Sequence, residues 1–211
     1  MSELVFHTGP MDCGKSTLAL QLHYTQSTNG RSGRLFTCQD RSGDGTVTSR
    51  IGLSKAAIEV PADFDIWAYV IAELVAGRRV DYLVCDEAQF YQEEQIDQLA
   101  RVVDELQIDC YAFGILADFR TKLFPGSARL VELADRVETL PLGPLCWCGK
   151  RGTHNARTIN GLMVTEGSQI VVGDTNDGAD VRYEVLCRAH HRRRMTRTRA
   201  QATLAEPLPF A

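Results

Sequence analysis

Gly9-Pro10-Met11-Asp12-Cys13-Gly14-Lys15-Ser16 follows the apolar run Leu4-Val5-Phe6-His7 and leads into a stretch with Leu18, Leu20 and Leu22 among small and polar residues. The segment matches G-x-x-x-x-G-K-[ST] between a strand and a helix, the setting this phosphate-binding pattern (the P-loop) requires. Glycines let backbone N–H groups turn inward around phosphate oxygens, and the helix that follows adds the positive end of its dipole. Lys15 would reach the β- and γ-phosphates, and the Ser16 hydroxyl would ligate Mg²⁺. Such a loop implies a bound nucleotide but names no reaction.

Outward from this loop, the spacing predicts a helix from Ser16 to about Thr25, closed near Asn29-Gly30, and a strand over Arg34–Cys38. Residues 39–55 are polar with three glycines and read as a loop. A helix over Ile66–Ala76 stops at Gly77, and an apolar strand runs from Val80 to Cys85. Ile96, Leu99, Val102, Val103 and Leu106 mark one face of a helix over Gln92–Leu106, before a strand at Asp109–Gly114. Strands alternating with helices predict an α/β fold: a P-loop (RecA-like) parallel sheet flanked by helices.

After Leu140 the texture changes. Pro141-Leu142-Gly143-Pro144 is a linker, and short strand-like pieces (Ile170–Val172, Tyr183–Leu186) surround a loop over Gly173–Asp180. Arg192 to Arg199 holds five arginines, with Pro207 and Pro209 beyond, and reads as a solvated tail. The expected organisation is a nucleotide-binding domain over 1–142, a small metal-pinned lobe over 143–191 and a basic tail over 192–211.

The 211 residues are 44% hydrophobic and 24% charged, enough for a packed core. With 23 basic and 27 acidic residues the net charge is −4, which argues against a general nucleic-acid coat. No apolar run approaches a membrane span, and Met1-Ser2-Glu3 lacks the basic start of a secretory signal. A soluble, cytoplasmic protein is the expectation.

Val80-Asp81-Tyr82-Leu83-Val84-Cys85-Asp86-Glu87 delivers two carboxylates to the C-terminal end of an apolar strand, where ligands sit in open parallel sheets. Successive strand residues point to opposite sides, so the two carboxylates divide the work. Asp86 is assigned to magnesium and Glu87 to general base for the attacking oxygen. Arg41 and Arg120 are candidates for stabilising the transferring phosphoryl charge. Of the seven cysteines, Cys13, Cys38, Cys85 and Cys110 read as small buried hydrophobes. Cys146, Cys148 and Cys187 cluster with His190, a pattern that argues for a metal rather than disulfides. Tetrahedral zinc accepts Cys₃His, and four protein ligands with no open position make it structural.

Gly9–Thr17, Asp86-Glu87-Ala88-Gln89-Phe90, Asp118-Phe119-Arg120, Cys146-Trp147-Cys148-Gly149 and Tyr183…Cys187-x-x-His190 occur in this order. Together they resemble the thymidine kinases of animal cytosol and many bacteria, over about residues 3–191. The resemblance implies transfer of the ATP γ-phosphate to the 5′-hydroxyl of thymidine or deoxyuridine, with thymidine triphosphate (dTTP) as feedback inhibitor and a homotetrameric assembly. It implies ATP binding by Gly9, Pro10, Met11, Asp12, Cys13, Gly14, Lys15, Ser16 and Thr17, and by Asp86, Glu87, Ala88 and Gln89. Glu87 and Arg41 become the catalytic pair. Met11, Phe90, Phe119 and Tyr183 would line the nucleoside pocket, and Ile170, Val171, Val172 and Gly173 would contact the base through backbone groups. By the C-x-x-H spacing, His190 rather than His191 becomes the fourth zinc ligand. The chain departs from many members in its shorter Cys-x-Cys spacing and in Leu116-Ala117-Asp118 where an Asp-Gly pair is common; Gln39-Asp40-Arg41 shifts the usual Asp-x-Arg register by one.

Two other functions fit parts of the pattern. Asp86-Glu87-Ala88-Gln89 also resembles the second motif of helicases, and the arginine tail could touch phosphate backbones, as in a nucleic-acid-dependent ATPase. A helicase motor generally needs two such domains, and this chain has room for one. A zinc-dependent binding module leaves Glu87 without a task beside the P-loop. No nucleic-acid or membrane partner is expected.

Overall fold

The computed structural model describes residues 2–38, 45–169 and 180–204. Two compact units emerge: Met1–Gly9, Cys13–Leu116 and Leu123–Leu142 form the first, and Pro10–Asp12, Ala117–Lys122 and Gly143–Ala211 the second.

In the first unit the chain runs β1 (Leu4–Thr8), α1 (Lys15–Thr28), β2 (Gly33–Thr37), β3 (Thr46–Thr48), β4 (Ser54–Ala56), β5 (Ile58–Glu59) and α2 (Ile66–Val75). It continues through β6 (Tyr82–Cys85), α3 (Glu93–Leu106), β7 (Asp109–Gly114), α4 (Pro125–Leu133) and β8 (Arg136–Thr139). Six strands form an all-parallel sheet in the order β5-β2-β6-β7-β1-β8, with helices on its faces as anticipated. Strand β7 is inserted between β1, which feeds the P-loop, and β6, which carries the two carboxylates at its end.

Strand alternation divides the core. Tyr82 and Val84 face Ala19 and Leu20 of α1, whereas Leu83 and Cys85 join Ile96, Leu99 and Val102 of α3 on the opposite face. Both faces are covered, so β6 is a continuous apolar run rather than an alternating one. Leu99 is fully buried, and burying such a side chain contributes about 1.5–3 kcal/mol. A capping box starts α3, in which the Gln95 Oε1 accepts the Gln92 N–H at 2.9 Å.

The polar stretch after β2 contains more order than its composition suggests. Strands β3 and β4 pair as an antiparallel hairpin, with Val47 buried and Gly52 turning at φ 88°. Helix α4 and strand β8 gave no strong periodic signal. Val131 of α4 and Val137 of β8 are both exposed, so neither element carries a full apolar face.

The second unit is built on an antiparallel sheet in the order β10-β9-β11, formed by β9 (His154–Ile159), β10 (Leu162–Val164) and β11 (Val181–Leu186). The strand read at Tyr183–Leu186 lies within β11, while the piece at Ile170–Val172 falls outside the described residues. Helices α5 (Arg188–Arg192) and α6 (Arg197–Leu204) follow. Within the arginine-rich stretch, Arg192 therefore ends one helix and residues 197–199 begin the next, with turn and irregular backbone over 193–196. Thr196, just before α6, is fully buried and donates its hydroxyl to the Gly161 carbonyl at 2.7 Å. Among the described residues, no helix is long and apolar enough to cross a membrane.

Candidate active site

Gly14 caps α1 with φ 88°, a left-handed conformation that glycine adopts without strain. The chain can thus leave β1, turn tightly and enter a helix whose first N–H groups have no intrahelical acceptor. Lys15 is 9% exposed, and its ammonium donates to the Gly9 carbonyl at 3.4 Å and to the Cys13 sulfur at 3.7 Å. A cation is thereby held over the loop it would share with a phosphate.

At the end of β6 the two carboxylates have different surroundings. Asp86 is buried beside the Ser16 hydroxyl, which favours its ionised form, and donates its own N–H to the Phe36 carbonyl at 2.9 Å. Burial, followed by repulsion from Glu87, pushes the Asp86 carboxyl up to about 6; Ser16, the Glu87 N–H and Lys15 oppose that rise. Glu87 turns the chain at φ 53° and is only partly buried. Its carboxylate accepts from the Gln89 Nε2 at 2.5 Å.

The raised Asp86 value predicts a trade between stability and function. An acid whose folded value lies above its unfolded 3.8 resists ionisation in the fold, so ionisation lowers stability as pH climbs from about 4 through about 6. Without magnesium or nucleotide, Asp86→Asn should melt higher than the parent above pH 6. The gain is roughly 3 kcal/mol, the worth of about two pKa units, and it vanishes near pH 4. Thermal melts of both proteins from pH 4 to 8 check this, and a gap that does not change with pH contradicts it.

Of the other residues singled out, Phe90 packs edge-on against Phe124 at 5.6 Å in the first unit. In the second unit the Met11 N–H donates to the Asn155 Oδ1 at 2.8 Å, and the Asn155 amide donates to the Ala117 carbonyl at 3.1 Å. Phe119 is 2% exposed beneath the Arg157 guanidinium, whose carbon lies 3.8 Å from the ring centroid. Arg157 also donates to the Ser168 and Glu166 carbonyls at 3.0 and 3.3 Å. Arg120 directs its guanidinium to Asp118 at 2.8 Å and to the Gly167 carbonyl at 3.1 Å. Tyr183 is exposed. Asp40, Arg41, Ile170, Val171, Val172 and Gly173 lie outside the described residues. Asn155 and Arg157 were not singled out in sequence: polar residues on a strand carry no periodic signal, and their partners are remote in the chain.

Cys146, Cys148, Cys187 and His190 bring one ligand atom each to within 4.8 Å of one another. The Cys146 sulfur lies 3.3 Å from the His190 Nδ1. Tetrahedral zinc, with bonds of about 2.3 Å to sulfur and 2.0–2.1 Å to nitrogen, places such atoms roughly 3.5–3.8 Å apart, so the set fits that ion. The His190 N–H foremost lowers the Cys187 thiol, while burial raises that of Cys146. Trp147, between the paired cysteines, stacks on the His190 ring at 4.1 Å and donates its indole N–H to the Met195 carbonyl at 2.9 Å. This orients the ligand ring from outside the cluster. The adjacent His191 is buried, with Nε2 3.0 Å from the Phe119 carbonyl, and is not a member of the cluster.

Comparison with known proteins places this arrangement. A family model described as "Thymidine kinase" matches residues 2–191. The chain is 60% identical over 211 residues to a thymidine kinase of Cutibacterium acnes (strain DSM 16379 / KPA171202), covering 100% of this chain and 98% of that one. It is 59% identical over 208 residues to one of Streptomyces coelicolor (strain ATCC BAA-471 / A3(2) / M145), covering 98% and 96%. A thymidine kinase of Lactobacillus johnsonii (strain CNCM I-12250 / La1 / NCC 533) is 38% identical over 199 residues, covering 90% and 96%. With matches that run nearly end to end and a phosphate loop whose serine meets a buried strand-end aspartate, the chain belongs to the thymidine kinase family.

Proposed function

We propose that this chain transfers the γ-phosphate of ATP to the 5′-hydroxyl of thymidine or deoxyuridine. The observation that carries the reading is the 59–60% identity to thymidine kinases along the whole chain. In this reading the triphosphate lies along Gly9–Thr17, with Lys15 toward its β- and γ-phosphates, and Asp86, Glu87 and Ala88 complete the nucleotide site. Ser16 and Asp86 are the residues that would hold Mg²⁺, which supplies charge neutralisation across the β- and γ-oxygens when bound. Glu87 takes the proton of the 5′-hydroxyl as the oxygen bonds to the γ-phosphorus. The bond to the β–γ bridging oxygen breaks, and ADP leaves with that electron pair. Arg41 is assigned to the charge developing on the transferring group.

The roles of Met11, Phe90, Phe119 and Tyr183 toward base and sugar, and of Ile170, Val171, Val172 and Gly173 toward the base, rest on the family resemblance. So do inhibition by dTTP, a homotetrameric assembly and a cytoplasmic location. A structural zinc on Cys146, Cys148, Cys187 and His190 belongs to the same reading, as does the division into a kinase domain over 1–142 and a zinc lobe with a substrate-covering loop over 143–191.

A nucleoside panel with ATP as donor tests the proposal. Thymidine and deoxyuridine should be phosphorylated with kcat/KM values well above those for deoxycytidine and the purine deoxynucleosides, since specificity is a ratio of those constants. Single-stranded DNA should leave ATP turnover unchanged. DNA-stimulated ATP hydrolysis without nucleoside phosphorylation would replace the kinase with the ATPase.

A further inference from the structure

Gln89 is 1% exposed and sits in the short 3-10 turn Ala88–Phe90 directly after Glu87. Its Oε1 accepts the backbone N–H of Ile115, just past the end of β7, at 3.1 Å. A backbone N–H can only donate, so the oxygen of the amide must face Ile115 and the nitrogen must face Glu87. The Nε2 then donates to the Glu87 Oε2 at 2.5 Å. Gly114, the last residue of β7, makes room for this bridge. A Cβ there would stand 2.7 Å from the Gln89 Oε1 and 3.1 Å from its backbone nitrogen.

Glu87 needs such support. It leaves the strand at φ 53°, in the left-handed region that a non-glycine residue keeps only where its surroundings hold it. Its side chain has three rotatable bonds and is only partly buried, so the turn alone does not fix where the carboxylate points.

We propose that Gln89 is a positioning residue for Glu87: it ties the carboxylate to the rigid end of β7 through the Ile115 N–H. This rests on Glu87 being the base for the nucleoside hydroxyl, and it gives Gln89 a task other than contacting ATP. The amide is buried, and both its ends are turned to protein groups. A base displaced by about 1 Å can lose on the order of 100-fold in rate while ligands still bind.

The test compares Gln89→Met, which keeps the side-chain length but removes the donor, with Gly114→Ala, which pushes on the amide from β7. Steady-state kinetics are read for ATP and thymidine, with ATP affinity measured directly. Both variants should lower kcat by about 10- to 100-fold. Both KM values and the ATP Kd should stay within about twofold, the pattern of a lost transition-state interaction. In a Glu87→Gln background, adding Gln89→Met should cost almost nothing further, because the residue acts only through the carboxylate. Should Gln89→Met fail to fold, Gly114→Ala and its double variant with Glu87→Gln carry the test. Unchanged kcat, a raised ATP KM with kcat preserved, or a loss that adds fully to that of Glu87→Gln would overturn the assignment. A parent enzyme that does not phosphorylate thymidine would remove the reading beneath it instead.

Discussion

Glu87→Gln should lower kcat for thymidine phosphorylation by about 10²–10⁴-fold, the usual worth of a positioned general base. ATP should still bind, because Lys15 and the loop from Gly9 to Ser16 are untouched. The substitution keeps shape and replaces a proton acceptor with a neutral amide. Its oxygen can still meet the Gln89 Nε2 that now holds the carboxylate at 2.5 Å. A folding defect is therefore not expected, and a melting temperature close to the parent's is part of the prediction. Single-turnover measurement with saturating ATP separates chemistry from product release. Normal turnover in this variant would take the base assignment away from Glu87 and turn attention to Asp86, buried beside Ser16.

Loss of the metal cluster should have an effect of comparable size on the fold of the second unit. Purified protein should carry about one zinc per chain, bound as Cys₃His. Cys187→Ser should carry none. The reason for a large effect is the size of the local core. Among the described residues its four buried members are Cys146, Ala156, Leu186 and Cys187, so two of them are proposed ligands. Small zinc modules draw on the order of 10 kcal/mol of apparent folding free energy from the ion, and so little apolar surface does not replace that. Metal analysis with limited proteolysis reads the outcome: in Cys187→Ser, cleavage should appear within β9–β11. An active, protease-resistant protein without zinc would refute the structural role.

Much of the phosphate site was legible because it is local. The strand, the left-handed glycine and the helix that begins at Lys15 are covalent neighbours, and each residue's conformational preference supports the next. Strands β2, β6 and β7 and helices α2 and α3 were legible for a related reason, whereas the short strands β3, β4 and β5 were not. Burial on both faces leaves continuous apolar runs in strands, and burial on one face leaves a stripe in α3. Helix α4 and edge strand β8 were not, since Val131 and Val137 stay exposed and their packing leaves only a partial pattern. Strand β9 was missed because its buried residues include Asn155, Arg157 and Thr158, whose polar groups are satisfied by distant backbone atoms.

The order of residues alone determined that a nucleotide loop opens an α/β sheet, that two carboxylates end an apolar strand, and that three cysteines and a histidine recur near the C-terminus. These are properties of short segments, in which spacing and backbone preference suffice. Tertiary structure alone decided the strand order, the approach of Ser16 to Asp86, the gathering of Cys146, Cys148, Cys187 and His190 to within 4.8 Å, and the tie from Ile115 through Gln89 to Glu87. Each joins groups far apart along the chain, and only a packed core brings such groups within hydrogen-bonding or ligand distance.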